Sequence, residues 1–200
     1  MKVPNLVTLS RLVLAPLFLV AFVGTGSGRG SLGWALALAV FFEVTDMVDG
    51  YVARRFAQTS QLGKILDPLA DSISRFTVFL CFLVAGYADV WSVAIIFWRD
   101  AVVSMLRVVS AGQSVVLAAR TAGKAKAVVQ AVGILAILVF GVVPVFPPGG
   151  VGGWFLWSVD DAEHHQEVAL WIMRGVALVT AVSLVDYLRG NREVLRKLDV

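Results

Sequence analysis

The sequence predicts an all-α integral membrane protein: a single domain over residues 1–200, six transmembrane helices and both termini cytoplasmic. Three observations carry this reading. Hydrophobic residues make up 58% of the chain and mean hydropathy is +0.83, well above the range of soluble globular domains. Apolar runs recur six times, each long enough to cross a hydrocarbon core of about 30 Å as a helix. The cations are unevenly placed. With six spans and a cytoplasmic N-terminus, one side holds Lys2, Arg11, Arg54, Arg55, Lys64, Arg75, Arg99, Arg107, Arg120, Lys124, Lys126, Arg189, Arg192, Arg196 and Lys197. The other side keeps Arg29 and Arg174, and cytoplasmic loops are the ones that carry Lys and Arg. The expected location is the inner (cytoplasmic) membrane, multi-pass. Net charge is only +3 and no nucleic-acid partner is expected. Cys81 is the one cysteine, so it forms no internal disulfide, and it reads as a small core residue.

The first span covers residues 6–23, and Asn5, Thr8 and Arg11 recur along one face of its start. They read either as interfacial caps and snorkelling groups or as a polar lip facing an acidic cluster. A Gly/Ser-rich turn over 24–31 leads to the second span, 32–54. Glu43, three residues before Asp46, reads equally as a group supporting that cluster or as the partner of a base. The third span, 63–87, contains Pro68, where local distortion is expected. After a short external turn at 85–89, the fourth span, 90–109, carries Arg99, Asp100 and Arg107. Arg99 and Asp100 either neutralise one another or line a cavity that binds an anion. Residues 110–126 read as a polar, basic connection and 127–146 as the fifth span. The 147–167 segment holds Trp154, Trp157 and the pair His164/His165. Its tryptophans read as an interfacial belt, and its histidines as solvated rather than metal-bound. The sixth span is 168–187, followed by a basic tail expected as a short cytoplasmic helix.

The stretch between the second and third spans carries the chemistry. Asp46, Asp49, Asp67 and Asp71 fall within 26 residues. A carboxylate at the centre of a membrane helix costs about 2.5–3.5 kcal/mol on insertion scales. Asp46 and Asp49 are three apart and Asp67 and Asp71 four apart, so each pair shares a helix face. Gly50 and Ala53 continue the first face and Gly63 begins the second, leaving room for close approach by a ligand or another backbone. Four carboxylates gathered this way need cations between them. Hard oxygen donors suit Mg²⁺, Mn²⁺ or Ca²⁺. The cluster falls at the cytoplasmic membrane boundary, where a lipid headgroup and a water-soluble molecule can meet.

The pattern D-x-x-D-G-x-x-A-R, eight residues, then G-x-x-x-D-x-x-x-D is met in full by Asp46, Asp49, Gly50, Ala53, Arg54, Gly63, Asp67 and Asp71. It resembles the signature of the CDP-alcohol phosphotransferase family, and the resemblance runs from Pro4 to about Tyr187. It implies a phospholipid-forming transferase with two divalent ions, Mg²⁺ or Mn²⁺. By the resemblance Asp46 and Asp67 bridge both ions, Asp49 completes one site and Asp71 the other. Asp71 also takes the proton of an acceptor hydroxyl, which attacks the β-phosphorus of a CDP-linked lipid and expels CMP. Asn5, Thr8, Asp49, Gly50, Ala53, Arg54, Ser60 and Gly63 are implied to hold the cytidine nucleotide, and a homodimer is implied as well.

The segments W-R-D-A-V-V-S-M-L-R and G-K-A-K-A-V-V-Q resemble those of phosphatidylglycerophosphate synthases within that family. There Arg99, Arg107, Arg120 and Lys124 are implied to bind the phosphate of glycerol 3-phosphate, with CDP-diacylglycerol as the lipid donor. Asp100, Ala127 and Ser72 depart from the usual Glu, Thr and Lys. Inositol phosphate, serine or another alcohol are therefore the competing acceptors. A divalent-cation transporter is the competing class. Against it, the carboxylates lie near one membrane face rather than the midplane, and Arg54 beside them repels a cation. A purely structural scaffold leaves the acidic cluster without a purpose.

Overall fold

The structure is a computed structural model that describes residues 3–24, 29–56, 61–112, 121–142 and 162–196. Within these, side chains are described at 12–24, 31–45, 70, 72–110, 121–142, 164–192 and 195–196. Among the described residues every regular element is a helix: α1 (Val3–Val23), α2 (Arg29–Phe56), α3 (Gln61–Val84), α4 (Val90–Gly112), α5 (Thr121–Val142), α6 (Ala162–Gly190) and the single turn α7 (Arg192–Leu195). The six long ones have 21 to 29 residues, or about 31–44 Å at 1.5 Å per residue.

Helices α5 and α6 each start six residues before the expected spans, α6 at Ala162 so that His164 and His165 lie in its first turn. Helix α5 starts at Thr121, so Gly123, Lys124 and Lys126 belong to its first turns and not to a loop. Lys126 and Gln130 point inward, and an amphipathic first turn packed on neighbours stays helical whatever its polarity. Helix α3 continues through Pro68 without interruption; Pro there leaves only one carbonyl without its helical donor.

The helices form a closed ring. α1 packs on α2 and α3, α2 on α5, α5 on α6, α6 on α4, and α4 on α3. Contacts at one end fix their alternating direction. Phe22, late in α1, lies 6.3 Å from the Tyr87 ring in the α3–α4 turn. His165, at the start of α6, lies 4.6 Å from the same ring. A Cβ on Gly141, late in α5, would meet Leu32 of α2 at 2.7 Å and His165 at 2.8 Å. The starts of α2, α4 and α6 therefore share one end with the finishes of α1, α3 and α5. At that same end Trp34, Trp91 and Trp171 are exposed. His165 is packed rather than solvated: its Nε2 donates to the Ile137 carbonyl at 3.0 Å.

The core is apolar and aromatic, with Phe18, Phe22, Phe42 and Phe82 joining α1, α2 and α3. Large apolar side chains also cover the outside, among them Val13, Val20, Val84, Met105 and Leu178. Soluble monomers rarely expose so much. Helix α5 and residues 164–190 of α6 are long and apolar enough to cross a membrane.

The turn between α3 and α4 is specified locally. Gly86 has φ 76°, a conformation that glycine adopts without a Cβ penalty. Tyr87 N–H donates to the Phe82 carbonyl at 2.8 Å and Gly86 N–H to that of Leu83 at 3.2 Å. The Tyr87 and Phe82 rings stand edge-on at 6.0 Å. These are the bonds and the apolar contact of a Schellman C-cap. Asp89 then caps α4, accepting from Ser92 N–H at 2.8 Å, and pairs with Arg174 of α6 at 3.1 Å. Partial burial pushes the Asp89 carboxyl up, but the Ser92 amide and Arg174 outweigh it and hold the group below its ordinary value.

Candidate functional site

Polar side chains gather in the ring interior, toward the end opposite the α3–α4 turn. Arg75 of α3 lies 3.7 Å from Glu43 of α2, and its Nη1 donates to the Ala127 carbonyl of α5 at 3.4 Å. Lys126 of α5 donates from Nζ to both carboxylate oxygens of Asp100 of α4, at 2.7 and 2.8 Å. Arg99 Nη1 shares Asp100 Oδ1 at 3.0 Å, while Arg99 Nε donates to Ser183 Oγ of α6 at 3.1 Å. Five helices thus meet in one polar layer. Among the described side chains it joins three cations (Arg75, Arg99 and Lys126) to two carboxylates, Glu43 and Asp100. The side chains of Arg99 and Lys126 there are only 8% and 7% exposed. A buried positive charge favours an anion as its counterpart.

This layer sets the register of the acidic helices. Glu43 precedes the end of α2 by 13 residues and Arg75 follows the start of α3 by 14, so their contact matches antiparallel helices in register. From that contact Asp46 is one turn onward in α2 and Asp71 one turn back in α3, both toward the connection. Asp49 and Asp67 follow about one further turn along. The backbone therefore brings the two pairs to neighbouring levels. Their side chains, with those of Asn5, Thr8, Gly50, Ala53, Arg54 and Gly63, lie outside the described side chains, and Ser60 and Arg120 lie outside the described residues altogether. The motif's donor set suits hard divalent cations: four carboxylates, without nitrogen or sulfur ligands.

The expected anion-binding residues separate into two groups. Arg99 is buried, and a Cβ on Gly123 would stand 3.5 Å from its Nη2, so the guanidinium lies against the first turn of α5. Lys124 is the next residue there and is exposed. Arg107 is exposed two turns further along α4, with its guanidinium carbon 5.9 Å from the centre of the Tyr187 ring. Arg99 pairs with Asp100, as one of its two sequence readings has it. Glu43 is a partner of Arg75.

The sequence matches one protein family over residues 1–182, and that family is CDP-alcohol phosphatidyltransferase. The chain belongs to the CDP-alcohol phosphatidyltransferase family. Such enzymes generally use a divalent metal, in keeping with the acidic motif. A CDP-diacylglycerol--glycerol-3-phosphate 3-phosphatidyltransferase of Bacillus subtilis is 31% identical, over 98% of this chain and 97% of its own. A probable phosphatidylglycerophosphate synthase of Mycobacterium tuberculosis is 31% identical, over 95% of this chain and 82% of its own. A probable cardiolipin synthase (CMP-forming) of Drosophila melanogaster is 32% identical, over 50% of this chain and 30% of its own.

Sequence reasoning missed three members of the polar layer. Ser183 and Thr180 look like ordinary small residues of an apolar helix, and nothing in their spacing separates them from packing positions. Arg75 entered only as one more cytoplasmic cation. Its spacing of four from Asp71 was the available signal, since it puts Arg75 on the acidic face.

Proposed function

We propose that this protein makes phospholipid by transferring a phosphatidyl group from CDP-diacylglycerol to the hydroxyl of glycerol 3-phosphate, with release of CMP. The observation that carries it is the end-to-end match to the Bacillus subtilis glycerol-3-phosphate phosphatidyltransferase, together with an intact acidic motif. The protein spans the inner (cytoplasmic) membrane six times, with both termini cytoplasmic. The alternating ring and its apolar exterior support that reading. The homodimer is carried over from the family resemblance alone.

Asp46, Asp49, Asp67 and Asp71 hold two Mg²⁺ or Mn²⁺ ions, supported by the register of the Glu43–Arg75 contact. When bound, the ions offset charge on the pyrophosphate and on departing CMP. Asn5, Thr8, Asp49, Gly50, Ala53, Arg54, Ser60 and Gly63 hold the cytidine nucleotide, with Arg54 as a bidentate phosphate donor. Asp71 accepts the proton as the acceptor oxygen bonds to the β-phosphorus and the bond from that phosphorus to CMP breaks. A carboxylate is a weak base, so orientation of the hydroxyl supplies much of the rate. Arg99, Arg107, Arg120 and Lys124 receive the acceptor phosphate, and the Arg99 guanidinium against the first turn of α5, beside exposed Lys124, supports an anionic acceptor.

A second reading, cardiolipin formation by CMP release, is favoured by the Drosophila match, which spans only half of this chain. The test is CMP release by purified protein given CDP-diacylglycerol, with Mg²⁺, with Mn²⁺ or with chelator, and with glycerol 3-phosphate, inositol phosphate or serine as acceptor. Metal-dependent release with glycerol 3-phosphate and a phosphatidylglycerophosphate product is expected. A cardiolipin product from added phosphatidylglycerol, with glycerol 3-phosphate inert, would move the assignment to the second reading.

A further inference from the structure

Arg99 is held from two sides by groups that have no other freedom. Ser183 donates its own hydroxyl proton to the Thr180 carbonyl at 2.8 Å, so its oxygen is left to accept from Arg99 Nε at 3.1 Å. Asp100 accepts from Arg99 Nη1 at 3.0 Å, and its carboxylate is pinned in turn by Lys126 Nζ on both oxygens. Two of the five guanidinium donors are thereby committed, and Nη2 lies at the α5 first turn, where Gly123 has no Cβ to push it away. Lys126 is the most buried of the α5 cations, yet its ammonium is spent on a carboxylate.

We propose that Asp100, Lys126 and Ser183 are positioning residues that lock the Arg99 guanidinium toward the α5 first turn for an anionic acceptor, and that Lys126 acts through Asp100 without touching the acceptor. The proposal rests on the reading of Arg99 as part of the acceptor site. It assigns opposite roles to two lysines two residues apart: Lys124, exposed, meets the acceptor phosphate, whereas Lys126, buried, holds the scaffold.

The experiment is a double-mutant cycle read by CMP release with Mg²⁺, varying sn-glycerol 3-phosphate and CDP-diacylglycerol separately. Asp100→Asn and Lys126→Met are each expected to raise the acceptor KM about tenfold, with the CDP-diacylglycerol KM changed less than about twofold. The double variant is expected to be no worse than the worse single one, because both changes break the same support. Asp100→Glu, which keeps the carboxylate, is expected to restore most of the acceptor affinity. Ser183→Ala alters no charge and provides a variant that tolerates folding; a rise of about three- to tenfold in acceptor KM is expected. A full additional loss from Lys126→Met in the Asp100→Asn background would show direct contact with the acceptor and overturn the positioning role. An unchanged acceptor KM in folded Ser183→Ala would overturn it too. Arg99→Lys separates the two levels. If it leaves the acceptor KM unchanged, the acceptor reading of Arg99 falls, and the positioning role with it. If it raises that KM while the cycle is additive, only the positioning role falls.

Discussion

Asp71 and Arg75 stand one helical turn apart on α3, and Arg75 is tied to Glu43 and to the α5 backbone. Asp71→Asn removes a proton acceptor and half the charge of one acidic pair without changing side-chain size. CMP release is expected to fall by about 10² to 10⁴, while the protein still inserts into the membrane and elutes as folded material. Activity per mole of purified protein checks this, and full activity in the variant would remove Asp71 from the proton-transfer role. Asp100 shows how misleading sequence adjacency is at this scale. Its neighbour Arg99 is the obvious partner, but the bidentate contact comes from Lys126 on another helix. Consecutive residues on a helix project about 100° apart, so a carboxylate has more to gain from a neighbouring helix facing it.

Between elements, the Asp89–Arg174 pair joins the start of α4 to α6 at the tryptophan-bearing end, outside the two acidic helix halves. The folded carboxyl titrates below its ordinary value. Its stabilising contribution is therefore present above the unfolded pKa of about 3.9 and is lost as pH falls through the lower folded value. Asp89→Asn is expected to lower the thermal midpoint in detergent at pH 7, and the gap to the parent protein is expected to close as pH drops below about 4. A gap that persists unchanged in acid would show that the Asp89 charge is not its source. Close helix packing is likewise an inter-element property. A Cβ on Gly133 of α5 would reach 2.7 Å from Val176 of α6, so the small residue sets how near these two helices come.

For the whole molecule, the ring of six alternating helices predicts a topology that labelling can read. Cys81 is the only cysteine and is buried, so a Cys81→Ala background carries single reporters cleanly. Glu167→Cys in α6 and Arg196→Cys beyond α7 are both exposed positions. A membrane-impermeant thiol reagent is expected to label Glu167→Cys in intact cells, and Arg196→Cys only after the membrane is opened. Labelling of both from outside would refute the six-span arrangement.

Hydropathy, charge asymmetry and an eight-position acidic signature were enough to assign the helical class and the family, because each is a local or additive property of the chain. The span limits came within a few residues except at the starts of α5 and α6, each six residues early. At α5 the polarity of Lys124 and Lys126 masked a helix whose first turns are held by contacts with α3 and α4. Which cation faces which anion was decided only by tertiary structure. Ser183, Thr180 and Arg75 acquire their meaning when six helices close into a ring and turn particular faces inward. A side chain's partner inside a bundle depends on helix rotation and register, set by packing over the whole length of each helix. No single segment of the sequence carries that information.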